Sequence, residues 1–195
     1  YLETVDTFYF NRNDISVGSF FEYSYDSLED FNLVAGIRID SHNRLGTFVT
    51  PRLHLRYLPN ETTIFRISGG SGRKVANIFT ENQTLFGTNR RINILESGGT
   101  IYGLNPEKAW NYGISLRQIF KLFGRGGDIT ADYYVTNFTD QVLVDWELEG
   151  QISFYNLEGL SRANSFQLSI DYNPFELISL RFAYKNYDVK TTYNS

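Results

Sequence analysis

The sequence predicts an all-β fold of antiparallel strands in up-and-down order. Apolar and polar residues alternate with a period of two in segment after segment, which is typical of strands with one apolar and one polar face. With 14 Tyr and 16 Phe but only 4 Pro in 195 residues, the composition also favours strands. Short turns alternate with long polar connections, the rhythm of a transmembrane β-barrel wall with tight turns on one side and large loops on the other.

Eight segments carry the strand pattern. The first is predicted over Ile15–Tyr25, and the second, Phe31–Asp40, shows the alternation clearly, since every second residue from Phe31 to Ile39 is apolar. The other six are Arg52–Leu58, Thr63–Ser68, Trp110–Arg117, Ile129–Thr136, Ser165–Tyr172 and Ser179–Lys185. Two of them, extended as Ile129–Trp146 and Ile152–Tyr172, are expected to project beyond a membrane, because a spanning strand needs only about 9–11 residues.

The predicted connections alternate in length. Short turns with Gly, Pro, Asn and Asp are expected at Leu28–Asp30, Pro59–Glu61, Gly124–Asp128 and Asn173–Glu176. Long polar connections are expected at His42–Pro51, at Gly69–Lys108, and from Glu147 to Ile152 or beyond. A short helix is possible at Val75–Gln83. Loops of this length count against a compact soluble domain and are expected of an outer-membrane protein.

The two faces of the predicted sheet differ in polarity. One is apolar, and we expect its residues to face lipid: Phe31, Leu33, Ala35, Ile37, Leu53, Leu55, Phe65, Ile67, Ile114, Leu116, Phe166, Leu168, Leu180 and Phe182. The other holds more charge than a soluble core could bury, so it faces water or another charged body. Its candidates for contact with a lumen, a plug or an anionic ligand are Arg38, Arg52, His54, Arg56, Arg66 and Arg117.

Several kinds of site are disfavoured. The chain has no cysteine, and its two histidines, His42 and His54, are too few for a zinc site. Ser41 adjoins His42, but adjacent strand residues point apart, so no hydrolase triad is indicated. The run Gly69–Lys74 lacks the hydroxyl that follows the lysine in a phosphate-binding loop. The formal net charge of −4 disfavours nucleic acid. We therefore predict neither an enzyme nor a cofactor.

One acidic group remains as a minor alternative. Asp145, Glu147 and Glu149 share a parity in a predicted loop, and carboxylate oxygens are ligands that calcium prefers. Carboxylates at a solvated strand end are the commoner reading, so no metal site is predicted.

Four segments resemble the barrel domain of TonB-dependent outer-membrane receptors, in the form common among Bacteroidetes-type bacteria. They are Gly36–Ser68, Leu104–Gly113, Asp132–Asp145 and Phe154–Tyr172, in the family's order over nearly the whole chain. The resemblance implies a 22-stranded barrel in the outer membrane of a Gram-negative bacterium, filled by an N-terminal plug. It implies uptake of a scarce nutrient, such as a siderophore, vitamin, oligosaccharide or peptide, with energy from the TonB complex.

The resemblance also implies that residues 1–195 are part of one barrel domain, without the plug, the TonB box or the C-terminal strands. The expected partners are that plug, the remaining barrel strands, the TonB complex through the N-terminal region, outer-membrane lipid and a small nutrient ligand. The chain contains no methionine, which favours a piece of a longer protein. An alternative remains open: a self-contained small outer-membrane barrel of structural, adhesive or hydrolase type.

The glycine-rich stretch resembles the family's loop-entry motif, in which Gly-x-Gly is followed by an aromatic residue and arginine. Here Gly70–Gly72 is followed by Arg73 in the aromatic position and Lys74 in the arginine position. The resemblance implies an extracellular loop that contacts ligand. Its candidate residues are Arg73, Lys74, Asn77, Asn82, Arg90 and Arg91.

Overall fold

The computed structural model describes residues 2–5, 8–27 and 30–193, and most of them lie in strands. In chain order the strands are β1 (Leu2–Val5), β2 (Phe8–Asn11), β3 (Ser16–Ser27), β4 (Phe31–His42), β5 (Gly46–Asn60), β6 (Thr63–Lys74), β7 (Arg91–Ile94), β8 (Glu107–Leu122), β9 (Arg125–Thr139), β10 (Val142–Asp145), β11 (Gln151–Asn156), β12 (Gly159–Phe175) and β13 (Ile178–Tyr193). No helix among the described residues is long and apolar enough to cross a membrane.

The eight long strands form one antiparallel sheet in the order β13-β12-β9-β8-β6-β5-β4-β3. Each of the eight predicted strands is present, so the prediction of an antiparallel up-and-down sheet is confirmed. The strands at the two edges, β3 and β13, each pair with one neighbour and not with each other among the described residues. The sheet is therefore open over the part of the chain that the structure describes.

Two turns at one end of the sheet are tighter than predicted, and the turn predicted at Leu28–Asp30 lies partly outside the described residues. Phe123 and Gly124, with φ of 50° and 76°, join β8 to β9, and Glu176 and Leu177 join β12 to β13. At the other end, the prediction of a long connection at His42–Pro51 is wrong. There β4 and β5 meet in a hairpin, because Gly46 takes the left-handed φ of 68° that closes the turn.

The two remaining connections are long, and both hold structure of their own. The first spans 75–106 and contains the helix α1 (Ile78–Glu81), a 3₁₀ turn at Gln83–Phe86 and β7. The helix confirms the short helical segment expected there. The second spans 140–158 and contains β10 and β11, which form a small three-stranded sheet with β7. The extensions predicted as Ile129–Trp146 and Ile152–Tyr172 are interrupted, since β9 ends at Thr139 and β12 begins at Gly159.

The largest cluster of buried apolar side chains lies in these two loops rather than in the large sheet. Ile78, Leu104 and Phe154 are its most buried members, each at most 1% exposed. Phe154 stacks on Phe86, and Phe79 stacks on Phe86 and meets Tyr102 edge-on. We call residues 75–106 and 140–158 together the loop cap. The loop cap is a small folded unit with its own core, standing at the end of the sheet opposite the tight turns.

Candidate functional site

The register of the sheet separates an apolar face from a polar face. Leu33 of β4 faces Leu55, which faces Ile67, which faces Ile114 of β8. The same pairing places all the residues predicted to face lipid on one side of the sheet. Many of them are more than a third exposed, including Ile114 at 58% and Phe182 at 58%. The predicted alternation is thus confirmed, while contact with lipid stays a prediction.

The apolar band runs obliquely across the strands. On β4 it extends from Phe31 to Ile39, whereas on β13 it extends from Ile178 to Tyr184 and turns polar at Asn186. Pairing across the sheet puts Tyr184 in the same row as Phe31. The upper edge of the band therefore shifts by the eight residues from Phe31 to Ile39, about 26 Å, over six strand spacings of about 29 Å in all, a slope of about 40°.

The lower edge of the band shifts less. It moves by the six residues from Ile178 to Tyr184, about 20 Å over the same spacing, which gives a slope of about 35°. The mean of the two slopes, about 37°, lies within the ~35–45° by which strands tilt in a membrane barrel. A level apolar belt around a barrel of tilted strands has this oblique form.

Most arginines of the polar face pair with a carboxylate of the sheet itself. The guanidinium of Arg38 donates two hydrogen bonds of 2.7 Å to Asp40. Arg117 binds Asp128 through two contacts of 3.1 and 3.2 Å, and Arg52 pairs with Glu22. Near the tight turns, Arg181 binds Asp171 at 2.6 Å. Three of the predicted lumen residues thus have partners within the sheet.

Two other predicted lumen residues differ. Arg56 and Arg66 lie directly opposite each other across β5 and β6, and both side chains are exposed. Neither forms a salt bridge with any of the described residues. His54 lies one row away on the same face, between Val34 and Ser68.

Glycines keep parts of the polar face flat. The side chain of Arg52 lies across Gly36, where a Cβ would meet its Nε at 2.8 Å. The ring of Tyr134 lies across Gly113, where a Cβ would meet the ring at 2.3 Å. A shallow depression beside Arg66 is floored by Gly113 and also lined by Ser115 and Asp132. The polar face therefore offers a close approach to another body at its centre.

The two cations that follow the glycine-rich stretch are not in the loop. The sequence places Arg73 and Lys74 in a loop, but β6 continues through Lys74 because Gly72, Arg73 and Lys74 pair with Ala109, Lys108 and Glu107 of β8. The Arg73 guanidinium lies over the ring of Phe48, 4.9 Å from its centroid. Lys74 Nζ donates to Glu81 at 2.7 Å and lies 3.4 Å from Glu107.

Glu81 and Glu107 stabilise the protonated, positively charged form of Lys74. Burial acts to lower its pKa, but the hydrogen bond to Glu81 and the charges of Glu107 and Glu81 outweigh that effect, so the pKa of Lys74 is raised. Lys74 therefore ties the end of β6 to α1 and to the start of β8, above the apolar band.

The four remaining loop candidates lie in the loop cap, as predicted. Asn77 accepts a hydrogen bond from Arg12, and Asn82 Nδ2 donates to the Ile78 carbonyl at 2.9 Å. Arg90 donates to the Trp146 carbonyl at 3.0 Å, which links the two loops, and Arg91 is exposed at the start of β7. All four charged candidates are exposed, and among the described residues only Lys74 of the four has a carboxylate partner. Their contact with a ligand stays a prediction.

Sequence reasoning missed two residues that hold the loop cap together. Arg12 is 8% exposed and donates to Tyr102 Oη at 3.0 Å and to the Ala76 carbonyl at 3.2 Å, so it joins the segment before β3 to the first loop. Nothing in its sequence context signals this role. Asn156 is buried, bonds to both backbone groups of Asn105 at 2.7 and 3.0 Å, and donates to the Asp140 carbonyl at 2.7 Å. Its position between Tyr155 and Leu157 was a usable signal, since a polar residue inside an apolar segment needs partners.

The acidic residues of the second loop form no metal site in the described part of the chain. Among those residues no group of three or more His, Asp or Glu side chains is arranged to hold an ion. Asp145 instead accepts a hydrogen bond of 2.9 Å from the Glu147 amide, which shapes the turn after β10.

Comparison with known proteins shows which family and which solved structures the chain is similar to. Residues 2–195 match the family described as TonB dependent receptor-like, beta-barrel. No curated protein matches the chain. Among solved structures, the FrpB iron transporter (F3-3 variant) from Neisseria meningitidis superposes with a TM-score of 0.65 and 17% identity, over 91% of this chain and 26% of that one.

Two further structures share the fold. The siderophore receptor PirA from Pseudomonas aeruginosa has a TM-score of 0.68 and 13% identity, over 91% of this chain and 35% of that one. The copper transporter OprC has a TM-score of 0.63 and 16% identity, over 88% and 29%. The chain thus spans 26% to 35% of the length of these structures.

Proposed function

Because the chain belongs to the TonB-dependent receptor-like β-barrel family, we propose that it forms part of the wall of an outer-membrane receptor that takes up a scarce nutrient. The family consists of outer-membrane transporters of Gram-negative bacteria rather than enzymes. Energy for passage comes from the TonB complex, which acts through a part of the receptor outside this sequence.

The observation that carries the proposal is the oblique apolar band backed by a charged face. A membrane barrel needs an apolar outer belt about 25 Å tall and tolerates a polar interior. The apolar face, with residues such as Phe31 on β4 and Phe182 on β13, supplies the outer belt. The paired arginines of the polar face belong to the polar interior. In the receptor, the polar face lines the interior and meets the plug.

The open sheet favours a slice of a large barrel over a self-contained small one. A closed eight-stranded barrel requires β3 to pair with β13, and these strands do not pair in the described chain. Unpaired edges cannot stand in lipid, because their backbone groups would lack hydrogen-bond partners. Further strands of the same receptor, on either side of β3 and β13, complete the wall in this proposal.

The loop cap stands at the end of the sheet from which a ligand would enter. Guanidinium groups bind carboxylates and other oxyanions, and Arg73, Arg90 and Arg91 bring three of them to this end of the molecule. Similar folds occur in an iron transporter and a siderophore receptor. A ferric siderophore is therefore the first nutrient to test, followed by a vitamin, an oligosaccharide and a peptide.

Uptake by whole cells tests the proposed function. A strain that lacks the full-length receptor should fail to accumulate one labelled nutrient of this panel, and the full-length gene should restore accumulation. Collapse of the proton gradient should abolish the restored uptake, since TonB coupling depends on it. Equal uptake in the deletion and complemented strains for every nutrient would contradict the proposal.

A further inference from the structure

We propose that Arg56 and Arg66 together bind one carboxylate, carried by an acidic side chain of a polypeptide segment that packs against the polar face. The inference rests on the proposed function, in which this face lines an interior filled by another part of the receptor. It adds a specific contact site to that interior, with the chemistry of its occupant.

Arg56 and Arg66 face each other, and no carboxylate of the described residues pairs with either of them. They are paired residues of β5 and β6, and side chains directly opposite in an antiparallel pair lie close together. Like charges in that position destabilise a sheet. The other arginines of this face, such as Arg38 and Arg117, have a carboxylate in hydrogen-bonding contact. Among the described residues, the sheet supplies a carboxylate partner for each of the other arginines of the polar face and none for this pair.

The row around the pair has the same order of polar and acidic residues on both sides for two strands. In strand order it reads Asp26, Asn32, Arg56, Arg66, Ser115 and Asp132, and beyond Asp132 it continues through Gln167 to Lys185. Neutral side chains that can form hydrogen bonds flank the arginines, and a carboxylate follows on each side, about 10 Å from the nearer arginine. Neither aspartate forms a salt bridge with the pair, although Arg52 spans the same two strand spacings, across Gly36, to reach Glu22. The row thus presents a positive centre of two guanidinium forks with polar, uncharged sides.

This pattern selects the occupant. One carboxylate can take hydrogen bonds from both guanidinium forks, which match carboxylate geometry. A polyanion laid along the row would meet Asp26 and Asp132, so a single acidic side chain with neutral neighbours fits better. The site backs onto Leu55 and Ile67 of the apolar band, in the half of the sheet nearer the tight turn between β5 and β6. Arg52 and Tyr134 lie flat over glycines nearby, so a packed segment can approach closely.

Thermal unfolding of the full-length receptor tests the site by whether loss of one arginine lowers or raises the unfolding midpoint. Arg56→Gln and Arg66→Gln should each lower the unfolding midpoint by about 1–3 °C, because the interior carboxylate loses a partner. If the arginines only repel each other, removal of one should raise the midpoint. A raised or unchanged midpoint overturns the proposal. Lys121→Gln, near the tight turn between β8 and β9, is the matched control and should have no effect.

Cross-linking identifies the occupant. In membranes that hold the full-length receptor with Arg66→Lys, a carbodiimide should join the introduced amine to an Asp or Glu outside residues 1–195. Arg52→Lys is the control and should link to Glu22, its partner in the sheet. A link only to Asp132, or no link while the control product forms, overturns the proposal. Loss of the thermal effect in inorganic phosphate without an outside link assigns the site to a dissolved anion, which also overturns it.

Uptake measured on the same variants separates this inference from the proposed function. Normal TonB-coupled uptake together with a raised midpoint in Arg56→Gln rejects the arginine site alone. Failure of the unaltered receptor to restore uptake rejects the proposed function, whatever the midpoints are.

Discussion

Arginine at Leu53 should be strongly destabilising because this residue marks the middle of the apolar band on β5. The outward positions of the band on this strand run from Val49 through Leu53 to Tyr57. Each end is four residues from Leu53, about 13 Å along the strand and about 10 Å in depth for a tilted strand. With a belt about 25 Å tall, Leu53 lies near the midplane and Val49 near an interface.

The expected cost follows from this depth. Leu53→Arg should reduce the free energy of unfolding by about 2–4 kcal/mol, and Val49→Arg by about 0–1 kcal/mol. The first figure corresponds to a change of about 30- to 800-fold in the unfolding equilibrium. His54→Arg is the matched control on the polar face, where it meets Val34 and Ser68, and should change stability by no more than about 0.5 kcal/mol.

Guanidinium titration of the full-length receptor, refolded into lipid vesicles and followed by tryptophan fluorescence, measures these differences. The loss in the free energy of unfolding should decrease in the order Leu53→Arg, Val49→Arg, His54→Arg. Equal costs for Leu53→Arg and His54→Arg would refute the assignment of lipid and interior to the two faces. A larger cost at Val49 than at Leu53 would refute the position of the midplane.

The remaining predictions concern the loop cap and two residues beside it, Arg12 and Arg73. Arg12→Gln removes the buried donor to Tyr102 and should speed amide exchange in 75–106, with a local cost of about 1–3 kcal/mol. Asn156→Ala leaves both backbone groups of Asn105 without a partner and should lower the free energy of unfolding by about 2 kcal/mol, measured by guanidinium titration. Arg73→Ala should weaken nutrient binding to whole cells while the amount of folded receptor stays normal.

Each of these has a control with a different expected result. Arg91→Gln alters an exposed arginine of the same loop and should leave amide exchange unchanged. Asn93→Ala loses one side-chain contact, to Gln151, and should cost less than Asn156→Ala. Lys121→Ala lies at the opposite end of the sheet and should leave binding unchanged. Equal effects in any variant and its control would contradict the role assigned to the first residue.

The large sheet was predictable because each long strand shows its two faces in its own sequence. Alternation needs no knowledge of neighbours, so Phe31–Asp40 and Ser179–Lys185 could be recognised separately. The hairpin between β4 and β5 was misread as a long polar connection over His42–Pro51, although only residues 43–45 separate the two strands. Pro51 is tolerated because pairing between β5 and β6 begins only at Arg52, so its missing N–H costs the sheet little.

The loop cap was not predictable in the same way. Its strands β7 and β10 have four residues each, too few for a period to show. β7 pairs in parallel with β11, which is about sixty residues later in the chain, and no local pattern records such a pairing. The candidate arginines of the polar face were found by parity, but only the register separates those with a carboxylate partner from Arg56 and Arg66.

The separate core of the loop cap bears on how such a protein can change over generations. The sequence of the large sheet is constrained by the alternation of apolar and polar residues. The sequence of the loop cap is constrained instead by packing around Ile78, Leu104 and Phe154. A lineage can therefore replace both loops as a unit, provided that the new pair brings its own matched core and meets the strand ends at Lys74 and Thr139. In the proposed receptor, selection for a new nutrient acts on the loops, while the wall keeps its fold.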